Sequence, residues 1–285
     1  MNFSVSNFRT DEKLFSIHIN KNIYTGGTST FLKDVSNNVI LYKHDKSITH
    51  ITSSGPFLAC SSYDCTVSIF KVENIVYKLE DVIEGPDTEI KCVSFDSSNS
   101  WLAFATRGKS VWICRINEYI EIHKILEDHT EDVKGCLFFL DFFVSFGYDN
   151  TINLYQYFKY NEEWELVQEI EEEDTVWNVV FIEDRMYSCN ASGEISLYVL
   201  DKGYTLKKRK KFSHLPILAL CAYKNRLVAG LNLGDLIFLD LNLEIVHEME
   251  KIHTGFINCV YYSEKDEILG TCSDDQTYNI LKEEE

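Results

Sequence analysis

Three histidines each stand 20 to 22 residues ahead of an aspartate: His44 with Asp64, His129 with Asp149, and His253 with Asp275. An imidazole held by a carboxylate is the working half of a general base, the pair that activates a serine or a water. An active site would need that pair once. Three copies at near-constant spacing point instead to a hydrogen bond that pins a loop to a turn in several repeated units. No catalytic residue is therefore assigned.

Other reactive groups are scattered. No HxxxH or HExxH places two imidazoles on one face, which argues against a zinc hydrolase. A P-loop and a GxSxG elbow are also absent. The nine cysteines include no CxxC. Cys60 and Cys65 lie on one corner, but two thiols fall short of a four-ligand set. Neither a metal site nor a cofactor site is assigned. An odd number of cysteines and no apolar leader in MNFSVSNFRTDEK lead us to expect reduced thiols, hence a cytosolic or nuclear protein. The longest apolar run, 136–146, is interrupted by Asp141 and is far below the ~20 residues of a membrane span.

A formal charge of −18 argues against nucleic acid or an anionic membrane as the main partner. KKRKK at 207–211 is the one strong basic run. It could serve as a nuclear import signal, but lysines on an exposed edge strand also guard against sheet-to-sheet aggregation, and that reading is preferred. The acidic stretch from Glu162 to Asp174 reads as an outer strand with solvated turns.

The elements that would position these groups are strands. Apolar runs of five to seven residues recur (KCVSFD, WLAFAT, SVWICRI, TINLYQY, EISLYVL, DLIFLDL, NCVYY), separated by short polar turns. No long helical pattern appears. One turn repeats along the chain, with equivalent positions at Ser29, Asp64, Gly108, Asp149, Ser192, Leu233 and Asp275. A period near forty residues with four strands per unit is the mark of a WD40 propeller. Seven units fit, at about 14–45, 46–84, 88–128, 131–173, 174–213, 215–253 and 255–285. The last unit has three strands, and the segment 2–8 supplies a fourth, so one domain over 1–285 closes on itself without a long open edge. No unit keeps Trp-Asp after its third strand; the Trp position holds Phe70, Cys114, Tyr155, Tyr198, Leu239 or Leu281.

Loops held by such a scaffold carry function. The residue before each turn and an outward residue early in each first strand fall on one face. Blades two to five then offer Tyr63, Lys91, Arg107, Lys134, Tyr148 and Trp177. Aromatics and Arg are the enriched anchors of binding surfaces, and the cations suit an acidic peptide or a terminal carboxylate that Arg107 could grip bidentately. The competing reading has Arg107 paired with an acidic neighbour and the aromatics packed inward. Arg107→Glu is expected to weaken partner binding at a stability cost under ~0.5 kcal/mol.

The pieces TRGKSVW (106–112), HTEDVK (129–134), YDNT (148–151) with Glu162, Glu163 and Trp164, and TVW (175–177) add a more specific likeness. With the Ser-Tyr-Asp turn at 62–64 and the TVSIF that follows, the stretch from about 58 to 181 resembles the WD40 protein of the cytosolic iron–sulfur protein assembly machinery. That resemblance implies a seven-bladed, non-catalytic scaffold in a late-acting targeting complex. It implies a small DUF59-type assembly partner, a large HEAT-repeat adaptor and apo iron–sulfur client proteins, with no cluster held by the scaffold's own cysteines. The family's surface Arg maps onto Arg107, while Gly108 stands where the family has Asp. Another WD40 scaffold, in a coat, nuclear-pore or ubiquitin-ligase complex, stays open as the alternative; a propeller hydrolase would require a unique polar cluster.

Overall fold

The computed structural model describes residues 1–73 and 76–284. Positions 74, 75 and 285, inside the expected spans of the second and seventh units, lie outside the described residues. The described elements are all strands, arranged as seven four-stranded antiparallel sheets, the blades of a WD40 β-propeller. Six blades take their four strands in chain order. Blade three, for instance, runs Ile90–Phe95, Trp101–Thr106, Val111–Ile116 and Ile120–Leu126. Blade seven takes its fourth strand from the start of the chain: Phe3–Arg9 pairs antiparallel with Thr277–Glu283, Phe3 opposite Glu283 and Arg9 opposite Thr277. Phe8 stacks on Tyr278 at 4.8 Å across that pairing. Among the described residues, no helix is long and apolar enough to cross a membrane.

Burial follows position within each sheet. The second strands, such as Phe57–Ser62, Trp101–Thr106 and Phe142–Gly147, are buried at every residue but the first. Both of their faces are covered, so their sequences run apolar without alternating. Fourth strands such as Ile120–Leu126 have one hydrogen-bonded neighbour and many exposed residues. The core sits between successive sheets. Ala59, Val67 and Ile69 of blade two pack with Ile90, Leu102 and Phe104 of blade three. Ala103, Val111 and Ile113 on the opposite face of blade three pack with Val133, Phe143, Tyr155 and Trp164 of blade four. Each fully buried Leu, Ile or Phe here contributes about 1.5–3 kcal/mol.

Packing divides the chain into two compact units. One holds Thr30–Leu32 and Ile40–Val176, hence blades two to four; the other holds Met1–Ser29, Lys33–Val39 and the chain from Trp177 on. Within each unit, side chains on first strands reach the backbone of the next blade. Thr49 Oγ1 donates to the Ile90 carbonyl at 2.9 Å, and Cys92 Sγ to the Cys136 carbonyl at 3.5 Å. In the other unit, Asn258 Nδ2 donates to the Leu14 carbonyl at 2.8 Å.

The repeated turn is in register in all seven blades. The residue after the aligned position is left-handed each time: Thr30, Cys65, Lys109, Asn150, Gly193, Gly234 and Gln276, with φ between 64° and 84°. Only two of the seven are glycine, although this region penalises a side chain. A glycine search would therefore miss the turn that the period exposes.

Candidate functional site

His44 Nδ1 lies 2.9 Å from Asp64 Oδ2, and its Nε2 lies 2.9 Å from Ser68 Oγ. His129 bridges Asp149 Oδ2 (2.8 Å) and Ser145 Oγ (2.7 Å); His253 bridges Asp275 Oδ2 (3.1 Å) and Thr271 Oγ1 (2.8 Å). Each is the hydroxyl–imidazole–carboxylate geometry of a hydrolytic triad. Here, however, the three histidines and their hydroxyl partners are all buried, so no substrate carbonyl reaches the oxygen.

The carboxylates are instead backbone caps. Asp149 also accepts from the Thr130 and Thr151 amides at 2.9 and 3.2 Å, and from the Thr151 hydroxyl at 2.9 Å. Burial pushes the Asp149 carboxyl up, but the bonds from His129, Thr130 and Thr151 outweigh it and hold it at about 2. Each His lies on the connection entering its blade, so the bond ties that connection to the turn between the second and third strands.

Blade three replaces this device. Thr88 stands where the spacing places a His, and Gly108 where it places the Asp. A Cβ on Gly108 would come within 2.9 Å of Thr88 Oγ1. The turn is held instead by Thr106, whose hydroxyl lies 3.0 Å from Ser110 Oγ and accepts from the Gly108 amide at 3.1 Å. Trp112 takes the strand position of Ser68, donates to Ser110 Oγ at 3.2 Å and stacks on Phe104 at 5.9 Å. Packing and a short hydroxyl network thus stand in for the buried imidazole.

The Arg107 face is built from two backbone features. The amides of Tyr63, Arg107 and Tyr148 donate to the carbonyls of Ser47, Glu89 and Asp132 at 2.8 to 3.0 Å, fixing each turn beside the start of a first strand. In those strands the pairing register slips by one residue at Thr49, Lys91 and Lys134. Such a bulge re-aims its side chain.

The structure brings Tyr63, Lys91 and Arg107 together around Glu89. Lys91 Nζ sits 4.7 Å over the Tyr63 ring and 3.3 Å from Glu89 Oε2, with its side chain 12% exposed. Arg107 Nη1 is 3.6 Å from Glu89, and its Nε is 3.8 Å from Asp132 of blade four. The Arg107 side chain remains 60% exposed. Burial and then Glu89 raise the Tyr63 hydroxyl pKa; burial and then Asp132 raise that of Tyr148. Trp177 belongs to the other compact unit, where it packs against the cluster containing Ile182, Tyr187 and Leu220.

Sequence reasoning missed Glu89 and Asp132. Their signal was present: an acid stands two residues before each bulged lysine, in Glu89-Ile90-Lys91 and again in Asp132-Val133-Lys134. Glu89 and Asp132 both flank Arg107, so the competing reading, in which Arg107 pairs with an acidic neighbour, describes part of the geometry.

The other singled-out groups have ordinary settings. Cys60 is buried, which pushes its thiol pKa well up, while Cys65 occupies a left-handed turn position. Among the described residues no group of three or more His, Cys, Asp or Glu could hold a metal ion. The basic run lies on the fourth strand of blade five, Tyr204–Lys211. Lys208 and Lys210 each reach Glu244 at 2.7 Å, and Arg209 donates to Ser196 Oγ at 2.9 Å.

Residues 36–71 match the family model for the WD domain, G-beta repeat. The chain is 31% identical over 127 residues to "Probable cytosolic iron-sulfur protein assembly protein 1" of Kluyveromyces lactis, covering 38% of this chain and 38% of that protein. It is 37% identical over 83 residues to the protein of the same name from Sclerotinia sclerotiorum, covering 26% and 18%. It is 31% identical over 71 residues to "Probable cytosolic iron-sulfur protein assembly protein CIAO1 homolog" of Caenorhabditis elegans, covering 24% and 21%. The matched stretches thus span well under half of these relatives' own length. The chain is a WD40-repeat β-propeller similar, over part of its length, to proteins named for cytosolic iron–sulfur protein assembly.

Proposed function

We propose that this chain is a non-catalytic scaffold of cytosolic iron–sulfur protein assembly, working in the cytoplasm. Its partners in this reading are a DUF59-type assembly protein, a HEAT-repeat adaptor and apo iron–sulfur clients. The observation that carries the reading is the likeness to several proteins bearing that name, on a fold that typically serves as a scaffold. The face formed by Tyr63, Lys91, Arg107, Lys134 and Tyr148 is the proposed contact surface within blades two to four, and Trp177 is a proposed contact of the other unit. The three His–Asp pairs are proposed as structural.

Affinity purification of the full chain followed by mass spectrometry tests the scaffold role. A DUF59-type protein should co-purify; a ubiquitin-ligase, coat or nuclear-pore component in its place would reject the reading in favour of another WD40 scaffold. For the surface, Arg107→Ala is a cleaner probe than Arg107→Glu, because a Glu would sit between Glu89 and Asp132 and add repulsion unrelated to binding. Arg107→Ala should cut partner capture at least five-fold with under ~1 kcal/mol of stability lost. Undiminished capture would remove Arg107 from the surface.

A further inference from the structure

Blades two, three and four bring an imidazole and two thiols together on their first strands, Ile48–Ser54, Ile90–Phe95 and Val133–Phe139. After the slip in register at Lys91, Cys92 faces blade four. Its Sγ lies 3.5 Å from the Cys136 carbonyl oxygen, and it packs against the core cluster that contains Cys136. From blade two, His50 Nδ1 lies 3.7 Å from Cys92 Sγ. The same nitrogen is 2.9 Å from the Val93 carbonyl oxygen. A carbonyl only accepts, so Nδ1 carries a hydrogen and cannot take the thiol proton. It faces the sulfur as a donor, which favours the thiolate. All three residues belong to one compact unit.

The two thiols are unequal. Cys92 is half-buried, whereas Cys136 is 3% exposed. The Cys136 S–H donates to the Cys92 sulfur, and this bond, helped by His50, holds the Cys92 thiol well below its ordinary value despite its burial. Burial, and then the same bond, hold the Cys136 thiol well above its own. An accessible thiolate beside a sealed thiol is the arrangement of a peroxide-reactive cysteine and its resolving partner. The other partly exposed thiols differ. Burial raises Cys65 and pushes Cys221 up to about 12. Cys259 lies opposite the fully buried Cys272 on the neighbouring strand. A competing reading makes Cys92 an inter-blade strap alone, since Cys259 Sγ likewise lies 3.6 Å from the Ile17 carbonyl oxygen.

We propose that Cys92 is a modification site for peroxide, with Cys136 as its resolving thiol. The Cys92 thiolate attacks one peroxide oxygen and the O–O bond breaks. The second oxygen leaves as hydroxide, which a solvent proton converts to water, and Cys92 becomes a sulfenic acid. The Cys136 sulfur then attacks the Cys92 sulfur, the S–O bond breaks, and the hydroxyl leaves as water with the Cys136 proton. The two thiols lose two electrons, one peroxide gains them, and a disulfide joins blades three and four. In a compartment that keeps thiols reduced, such a bond is transient. The inference does not use the iron–sulfur reading.

The test treats the reduced full chain with about ten equivalents of hydrogen peroxide near neutral pH, blocks the remaining thiols with N-ethylmaleimide and maps tryptic peptides by mass spectrometry. Cleavage after Lys91, Arg107, Lys134 and Lys159 puts Cys92 and Cys136 on separate peptides, 92–107 and 135–159, with no other cysteine on either. These two peptides should appear joined, in roughly five-fold or greater excess over any other pair, and dithiothreitol should part them. Cys136→Ser keeps a hydroxyl donor toward Cys92. It should abolish the link and let a dimedone adduct accumulate on Cys92, roughly five-fold or more above the wild-type level. Cys92→Ser should leave Cys136 unmodified, because the sealed thiol does not meet peroxide. Oxidation mapped first to Cys65 or to a Cys259–Cys272 link, with Cys92 still reduced, overturns the proposal and leaves Cys92 as a strap. So does a Cys136→Ser chain that is folded by circular dichroism yet gains no adduct. The wild-type map reads the outcome even where a variant fails to fold.

Discussion

Removing one carboxylate separates the structural from the catalytic reading of the His–Asp pairs. The Asp149 side chain is 3% exposed and receives four hydrogen bonds, two on each oxygen. Asp149→Ala strands the buried His129 ring and removes the acceptor of the half-buried Thr151 amide and the exposed Thr130 amide, a change that costs about 2–4 kcal/mol. Asp149→Asn keeps the shape and one accepting oxygen but turns an amide N–H₂ toward donors, for a loss of about 2 kcal/mol. The pH dependence gives an independent figure. A carboxyl lowered from 3.8 to about 2 contributes about 2 kcal/mol at neutral pH. The folded-state value lies below the unfolded one, so this stability is complete above pH 4 and fades as pH falls toward 2. The wild-type advantage over Asp149→Asn should therefore shrink between pH 6.5 and pH 2.5. Urea titration followed by Trp fluorescence reads it, since Trp101 and Trp164 lie in the same compact unit. A difference under about 0.5 kcal/mol at pH 6.5, or one that does not change with pH, would refute the capping argument.

Two further substitutions probe the repeat. At Gly234, φ is +84° and a Cβ would fall 2.0 Å from the His253 carbonyl oxygen; Gly234→Ala should therefore cost at least ~2 kcal/mol in chemical denaturation, more than the ~1 kcal/mol of left-handed strain alone. Glu244, held at about 2 by its hydrogen bonds to Lys208 and Lys210, secures the basic strand of blade five. Glu244→Gln should quicken tryptic cleavage within 207–211, whereas an unchanged cleavage rate would show that the strand is held by its ladder alone.

The fold was legible because its signal is periodic. Seven turns near a forty-residue spacing survive the loss of every Trp-Asp dipeptide, since backbone φ and buried second strands constrain the chain more than those two side chains do. The site was less legible because its geometry depends on pairs from different blades. Lys91 reads in sequence as an outward cation, yet Tyr63 and Glu89 nearly bury it. Arg107 reads as a lone cation at a tip, yet it lies between an acid of its own blade and one of the next. That arrangement changes the chemistry expected of it. An arriving carboxylate would meet Arg107 with Glu89 and Asp132 already beside it, so its attraction is partly offset by repulsion from those two acids. The same two acids then set the salt response. Added salt screens the long 3.6 and 3.8 Å pairs along with any new contact, so partner binding through Arg107 should weaken with ionic strength less steeply than binding to an unpaired arginine.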